Sequence, residues 1–265
     1  MRADHCRSDL WREDREKALL AVSLAWVAGF VDAVGYVSLF RLFIAHMSGN
    51  SAAMGAHFGQ GEWGEAFYRA FPIPVFVLGV IAGAALHEAA SRRGVRSLFS
   101  LTLGLEAALL FLFMICGRGA ISGGGMSANL TWKFYLLVAL PAFAMGLQNA
   151  ALRRVGGQTV RTTALTGWLT DLAEDGVEYL YWLLDRRRAA MDQCDAAAPR
   201  RPSLEMMLLG GGILLAFVTG AITGGYAQKR WELRSLLLPL SGLALIIALD
   251  RLQPIHAARR KNTED

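Results

Sequence analysis

An all-α membrane protein, crossing the bilayer about six times as two inverted three-helix repeats, is the fold that the sequence predicts. Three observations carry this. Hydrophobic residues make up 54% and charged residues 18% of the 265, where soluble domains sit nearer roughly 45–50% and 25%. Several apolar runs approach the ~20 residues that a helix needs to cross a hydrocarbon core. Short motifs of the first half also return, in the same order, in the second. The 27 Lys and Arg outnumber the 22 Asp and Glu, for a net charge of +5. That excess would suit nucleic acid, but no Lys or Arg falls inside a long apolar run. The basic charge is confined to ends and loops, so the expected partner is a lipid bilayer and not nucleic acid.

Residues 1–17 form a charged leader with five basic and five acidic side chains. They do not read as a cleavable signal peptide, because the apolar run that follows is too long and lacks a small-residue cleavage site. The first span is 18–40. Residues 42–60 are apolar but interrupted by Gly, Asn and His, so a re-entrant or superficial segment is expected there. Spans at 70–90 and 97–117 complete a first membrane repeat, 18–117. Residues 118–133 form an outside loop, and 134–152 opens the second repeat, 134–250. Within it, 162–184 is amphipathic. Asp171, Glu174, Asp175 and Glu178 share one face, opposite Trp168, Leu172 and Leu180, which suits a helix lying in the interface. A cytoplasmic insertion covers about 168–203, spans follow at 206–228 and 235–250, and 251–265 is a tail.

With both termini in the cytoplasm, 20 basic residues fall inside and 7 outside. Making 42–60 and 162–184 into true spans gives eight helices and weakens the tally to 17 against 10. The positive-inside rule favours six spans in a bacterial inner membrane.

The chain resembles itself. Gly29-Phe30-Val31-Asp32-Ala33 matches Gly146-Leu147-Gln148-Asn149-Ala150 at an offset of 117, and Met47-Ser48-Gly49 matches Leu165-Thr166-Gly167 at 118. Gly79-Val80-Ile81-Ala82-Gly83 matches Gly220-Ala221-Ile222-Thr223-Gly224 at 141, and Gly104-Leu105 matches Gly242-Leu243 at 138. Three spans per repeat force the second repeat to enter with opposite polarity, an arrangement common in secondary transporters.

The same residues carry a likeness. Ala28-Gly29-Phe30-Val31-Asp32-Ala33, Ala45-His46-Met47-Ser48-Gly49-Asn50, Gly146-Leu147-Gln148-Asn149-Ala150 and Thr162-Thr163-Ala164-Leu165-Thr166-Gly167 together resemble the YoaK-like family of bacterial inner-membrane proteins, a domain of unknown function. The likeness covers about 20–250. Ser48 stands where the family usually has Thr, keeping the hydroxyl, and Trp168 stands where it often has Asn. The resemblance implies an integral inner-membrane protein and no particular activity.

Asp32 is the first candidate site residue, because a carboxylate at span depth is costly and usually faces a cavity, pairs or stays protonated. With Gln148 and Asn149 it is expected to line a polar cavity and carry a proton or cation. The alternative is a hydrogen bond that merely ties helices together. Ser48-Gly49-Asn50 and Thr163, Thr166 and Gly167 sit at helix breaks, where unpaired backbone groups can meet a ligand. A plain turn is the alternative. Glu106, also mid-span, is read as a proton-coupling group or a partner of His46 or His87, the alternative being a protonated carboxyl at a helix interface. Glu88 and Asp250 lie near span ends, within reach of water. Gly79, Gly83, Gly220 and Gly224 have the spacing of close helix packing, within the chain or in a homodimer.

No His-Glu-x-x-His, Cys-x-x-Cys, Walker A or Gly-x-Ser-x-Gly run is present, so no metal, cofactor or enzyme activity is expected. Cys6, Cys116 and Cys194 are expected to stay free of disulfides. A secondary transporter or channel for a small molecule or ion is therefore the expected function. The alternatives are a module that binds a partner through its cytoplasmic insertion, and a membrane-embedded enzyme acting on a lipid or quinone.

Overall fold

The computed structural model describes residues 2–39, 41–93, 98–121, 132–155, 165–189 and 204–252. Every regular element among them is helical: α1 (Arg2–Ser38), α2 (Met47–Gly59), α3 (Trp63–Ala70), α4 (Pro72–Arg92), α5 (Leu98–Ile121), α6 (Trp132–Val155), α7 (Leu165–Ala189), α8 (Leu204–Trp231), a 3₁₀ turn (Glu232–Leu236) and α9 (Leu237–Leu252). Five stretches are long and apolar enough to cross a membrane: Glu16–Ser38, Trp63–Ala90, Ser100–Arg118, Trp132–Leu152 and Met206–Leu252. The last is 47 residues long and holds two expected spans, separated by the 3₁₀ turn.

The leader is not a separate segment. It continues α1 without a break, giving 37 residues and a helix about 55 Å long, well beyond the ~30 Å of a hydrocarbon core. Pro72 opens α4, a position where its missing N–H goes unneeded. Pro141 lies inside α6 and removes one hydrogen bond from that helix.

Two helix pairs dominate the packing, α1 on α8 and α4 on α6. Glycines make both possible. A Cβ on Gly29 would overlap the Phe217 carbonyl oxygen, and one on Gly220 would overlap that of Trp26. In the other pair, a Cβ on Gly146 would strike the Phe76 carbonyl, and one on Gly79 that of Phe143. Gly83 rests on Leu147 and Ala150, and Gly224 on Phe30. These glycines let backbones touch where any side chain would hold them apart. All four glycines of the small-residue faces are thus occupied within the chain.

The contacts repeat at fixed intervals. Gly29 and Gly146 are 117 positions apart, as are Trp26 and Phe143. Their partners Phe76 and Phe217 are 141 apart, as are Gly79 and Gly220. Around these pairs, α5 packs against α6 and α9, and α7 against α8. Large apolar side chains point outward, including Val77, Leu78, Ile81, Phe111, Ile115, Leu208, Leu215 and Leu245. An apolar surface of this extent is suited to lipid contact.

Residues 42–60 hold no helix of span length. A loop leads into α2, which has only 13 residues. Helix α7 is not among the apolar spans. Its Trp168 ring covers Gly210 of α8, where a Cβ would come within 2.8 Å, and Leu172 is half-buried. Leu180 is exposed and shares a face with exposed Leu169, Val177 and Leu184, by their helical spacing. That face lies away from Asp171, Glu174 and Glu178, so α7 carries an apolar and an acidic side besides the one it packs with.

Gly146→Val and Gly220→Val are each expected to destabilise the protein by at least the ~1–3 kcal/mol of an overpacked core. Gly225→Ala, placed in open space, should be neutral or stabilising by up to about 1 kcal/mol. Thermal unfolding in detergent checks this, and equal midpoints for all three would contradict the close backbone contacts.

Candidate functional site

Two polar centres lie at span depth. The first forms where α1 ends. The chain reverses through Arg41, whose φ of 60° is unusual for a residue with a side chain. The Tyr68 hydroxyl donates to the Leu39 carbonyl at 2.7 Å, and Arg69 donates to the Arg41 carbonyl at 3.1 Å. Residues 42–46 then run back alongside α1. Asp32 Oδ1 accepts the backbone N–H groups of Ile44 (2.8 Å) and Ala45 (2.7 Å), and its Oδ2 lies 2.8 Å from His46 Nδ1.

Asp32 sits six residues before the end of α1, so the loop returns about 9 Å along the helix. It re-enters. The choice of residue follows from its neighbours: two backbone N–H groups converge on one carboxyl oxygen and the His46 ring faces the other, so a side chain with two oxygens suits the place. Asn50, with zero exposure, does the complementary work. Its Oδ1 accepts the Phe43 N–H at 3.1 Å, and its Nδ2 donates to the Phe43 carbonyl at 2.6 Å. A carboxamide is needed because the peptide presents both a donor and an acceptor. Gly35 lies under the Ile44 side chain and Gly49 under the Phe43 ring, which leaves the loop room to pack. The His46 ring meets Phe217 of α8 edge-on at 4.9 Å, and its Nε2 is buried with no hydrogen-bond partner.

The second centre joins α5 to α6. Glu106 and Gln148 both have zero exposure, and Gln148 Nε2 donates to Glu106 Oε1 at 3.1 Å. Glu106 Oε2 and Gln148 Oε1 are left unpartnered. One turn away on α5, Thr102 Oγ1 lies 3.3 Å from His87 Nε2 of α4. Closer to the start of α5, Ser100 donates to Asp250 of α9 at 2.7 Å.

The structure sorts the expected site residues differently from the single cavity read in the sequence. Asp32 bonds to the loop, not to Gln148 or Asn149. Asn149 turns its amide onto the Met145 carbonyl of its own helix at 3.0 Å. Glu106 pairs with Gln148, while His46 goes to Asp32 and His87 to Thr102. Ser48 is exposed, as are Thr166 and Gly167 at the start of α7. Thr163 lies outside the described residues. Asp250 is a correction. It is 1% exposed because the last turn of α9 lies against the first turn of α5, whereas Glu88 reaches out to Arg92 at 2.8 Å. Cavities of about 260 Å³ between α7 and α8, and about 340 Å³ between α1 and α9, are lined by other residues. Among the described residues no group of three His, Cys, Asp or Glu could hold a metal.

The sequence alone did not mark Tyr68, Ser100 or Thr102. Buried hydroxyls in apolar runs gave a weak signal that only their partners make meaningful.

Residues 20–249 match the family described as a protein of unknown function, DUF1275. The chain belongs to this family. It is also similar to the UPF0700 transmembrane protein YoaK of Bacillus subtilis (strain 168), with 30% identity over 154 residues, 57% of this chain. That alignment spans 64% of the relative's own length. No solved structure matches. Asp32, His46, Asn50, Glu106 and Gln148 all lie inside the region matched to DUF1275, and Asp250 lies one residue beyond it. The first turns of α1 fall outside it.

Asp32→Ala leaves two buried amides without an acceptor, at about 1–3 kcal/mol each. Hydrogen exchange at Ile44 and Ala45 is expected to rise by about tenfold or more, with a smaller rise for Asp32→Asn. Unchanged exchange across 42–46 would mean that Asp32 does not hold the loop.

Proposed function

We propose that this DUF1275 protein is a small secondary transporter of the bacterial inner membrane, built from two inverted three-helix repeats with both termini cytoplasmic. The observation that carries this reading is the crossed glycine packing. Each major pair takes one helix from each half, α1 with α8 and α4 with α6, and the touching atoms recur at the intervals of 117 and 141. Halves that interlock in this way can rock against each other about a shared centre, as inverted-repeat carriers do. The re-entrant loop at Asp32 supports it further, since broken backbone at membrane depth is tolerated where protein buries it or a pathway wets it. We read the chain as a carrier and not an enzyme, because its buried polar groups tie helices together, including the hydroxyls of Ser100 and Thr102 that bond across to Asp250 and His87.

Two measurements test the reading. The first is flux into liposomes holding the purified protein, with amino acids, carboxylates, polyols and monovalent cations offered with and without a pH gradient. Saturable, protein-dependent flux of at least one class is expected, falling to near background in Asp32→Ala. No such flux for any class would discard the carrier. The second is topology. Cysteines placed singly at Gly61 and Arg93, in a background lacking Cys6, Cys116 and Cys194, should react with an impermeant maleimide from outside and inside respectively. The reverse pattern would support eight spans.

A further inference from the structure

We propose that Glu106, paired with Gln148, is a single proton-binding site, reached through His87 and Thr102 from the end where α4, α5 and α9 meet. The proposal names the coupling site of the carrier reading above and rests on it for that use, though not for the binding itself.

Counting hydrogen bonds gives the first argument. A carboxylate at Glu106 has two acceptor oxygens, and Gln148 supplies a donor to one of them. Glu106 Oε2 and Gln148 Oε1 are then two acceptors, both buried and both without a donor. Buried polar groups in proteins are rarely left so. A proton on Oε2 would turn one of the two acceptors into a donor, and a carboxylic acid beside a carboxamide can donate to the amide oxygen while the amide N–H donates to the acid. A small metal cation fits less well. It would want about six oxygen ligands, and two are in view.

Asymmetry gives the second argument. By the intervals of 117 and 138, Gln148 corresponds to Val31 and Glu106 to Ala244. The approach is replaced as well: Thr102 corresponds to Leu240, Ser100 to Leu238 and, at 141, His87 to Gln228. In the other half the pair itself thus gives way to apolar Val31 and Ala244, while Gln228 keeps a polar group in the place of His87. A pair kept only to tie helices would not need to differ so completely between equivalent places.

Position gives the third. Thr102 and Glu106 are four residues apart, on one face of α5, and His87 touches Thr102. The charged or titratable side chains on the elements packed against α5 are His87, Glu88 and Arg92 of α4, Lys133 and Tyr135 of α6, Glu232 and Arg234 of the 3₁₀ turn, and Asp250 and Arg251 of α9, among the described residues. Of these only His87 and Asp250 are buried. Asp250 holds Ser100 beside the start of α5. No described counter-ion adjoins Glu106, so a proton is the charge that can come and go there.

Infrared difference spectroscopy of the protein in liposomes, titrated from about pH 5 to about pH 9, tests this. The wild type should show a carboxylic-acid C=O band that disappears as pH rises. Glu106→Gln should lack it, and so should the double variant Glu106→Ala with Gln148→Val, which copies the apolar half and is expected to remain folded by thermal unfolding. His87→Gln should keep the band but slow its response to a pH jump. A Glu106 band that stays constant across the range, or no Glu106-dependent band at all, would overturn the proposal. A titrating band in a protein that moves no solute would keep the proton site and discard the carrier. Solute flux with a constant band would do the reverse.

Discussion

Carbonyl oxygens resting on glycine Cα atoms are the contacts on which the rest of the molecule depends. In lipid there is no water to drive helices together, so association comes from packing and from the few polar bonds between them. Gly29, Gly220 and Gly224 bring α1 onto α8, and Gly79, Gly83 and Gly146 bring α4 onto α6. With those backbones touching, α5 can lie against α6 closely enough for Gln148 to reach Glu106. Phe217, whose carbonyl meets Gly29, can likewise place its ring on His46.

Backbone satisfaction is the second constraint. The loop that turns back along α1 carries N–H and C=O groups that need partners wherever they are buried. Asp32 and Asn50 meet that need with opposite chemistry, a carboxylate for converging donors and a carboxamide for a whole peptide. Asp32 thus has a clear structural employment in the resting molecule. Glu106 has less of one, since its second oxygen is unmatched and the equivalent place in the other half is apolar.

Much of this was legible in the residues. Apolar runs of span length, the glycine spacing and the carboxylates at span depth could all be read without coordinates. Their partners could not. The neighbour of Asp32 depends on a chain reversal at Arg41, and a positive φ at an arginine leaves no mark in the sequence. Asp250 was misjudged because distance from a helix end says nothing about what packs over that end.

By itself, the sequence determined the lipid environment, the helices and which side chains would be expensive to bury, because these follow from composition and from the periodicity of single segments. Tertiary structure alone decided that the polar groups form two centres instead of one cavity. Which buried donor meets which acceptor depends on two segments lying within about 3 Å of each other, and that is settled by how glycine-lined helices cross, far along the chain from the groups they align.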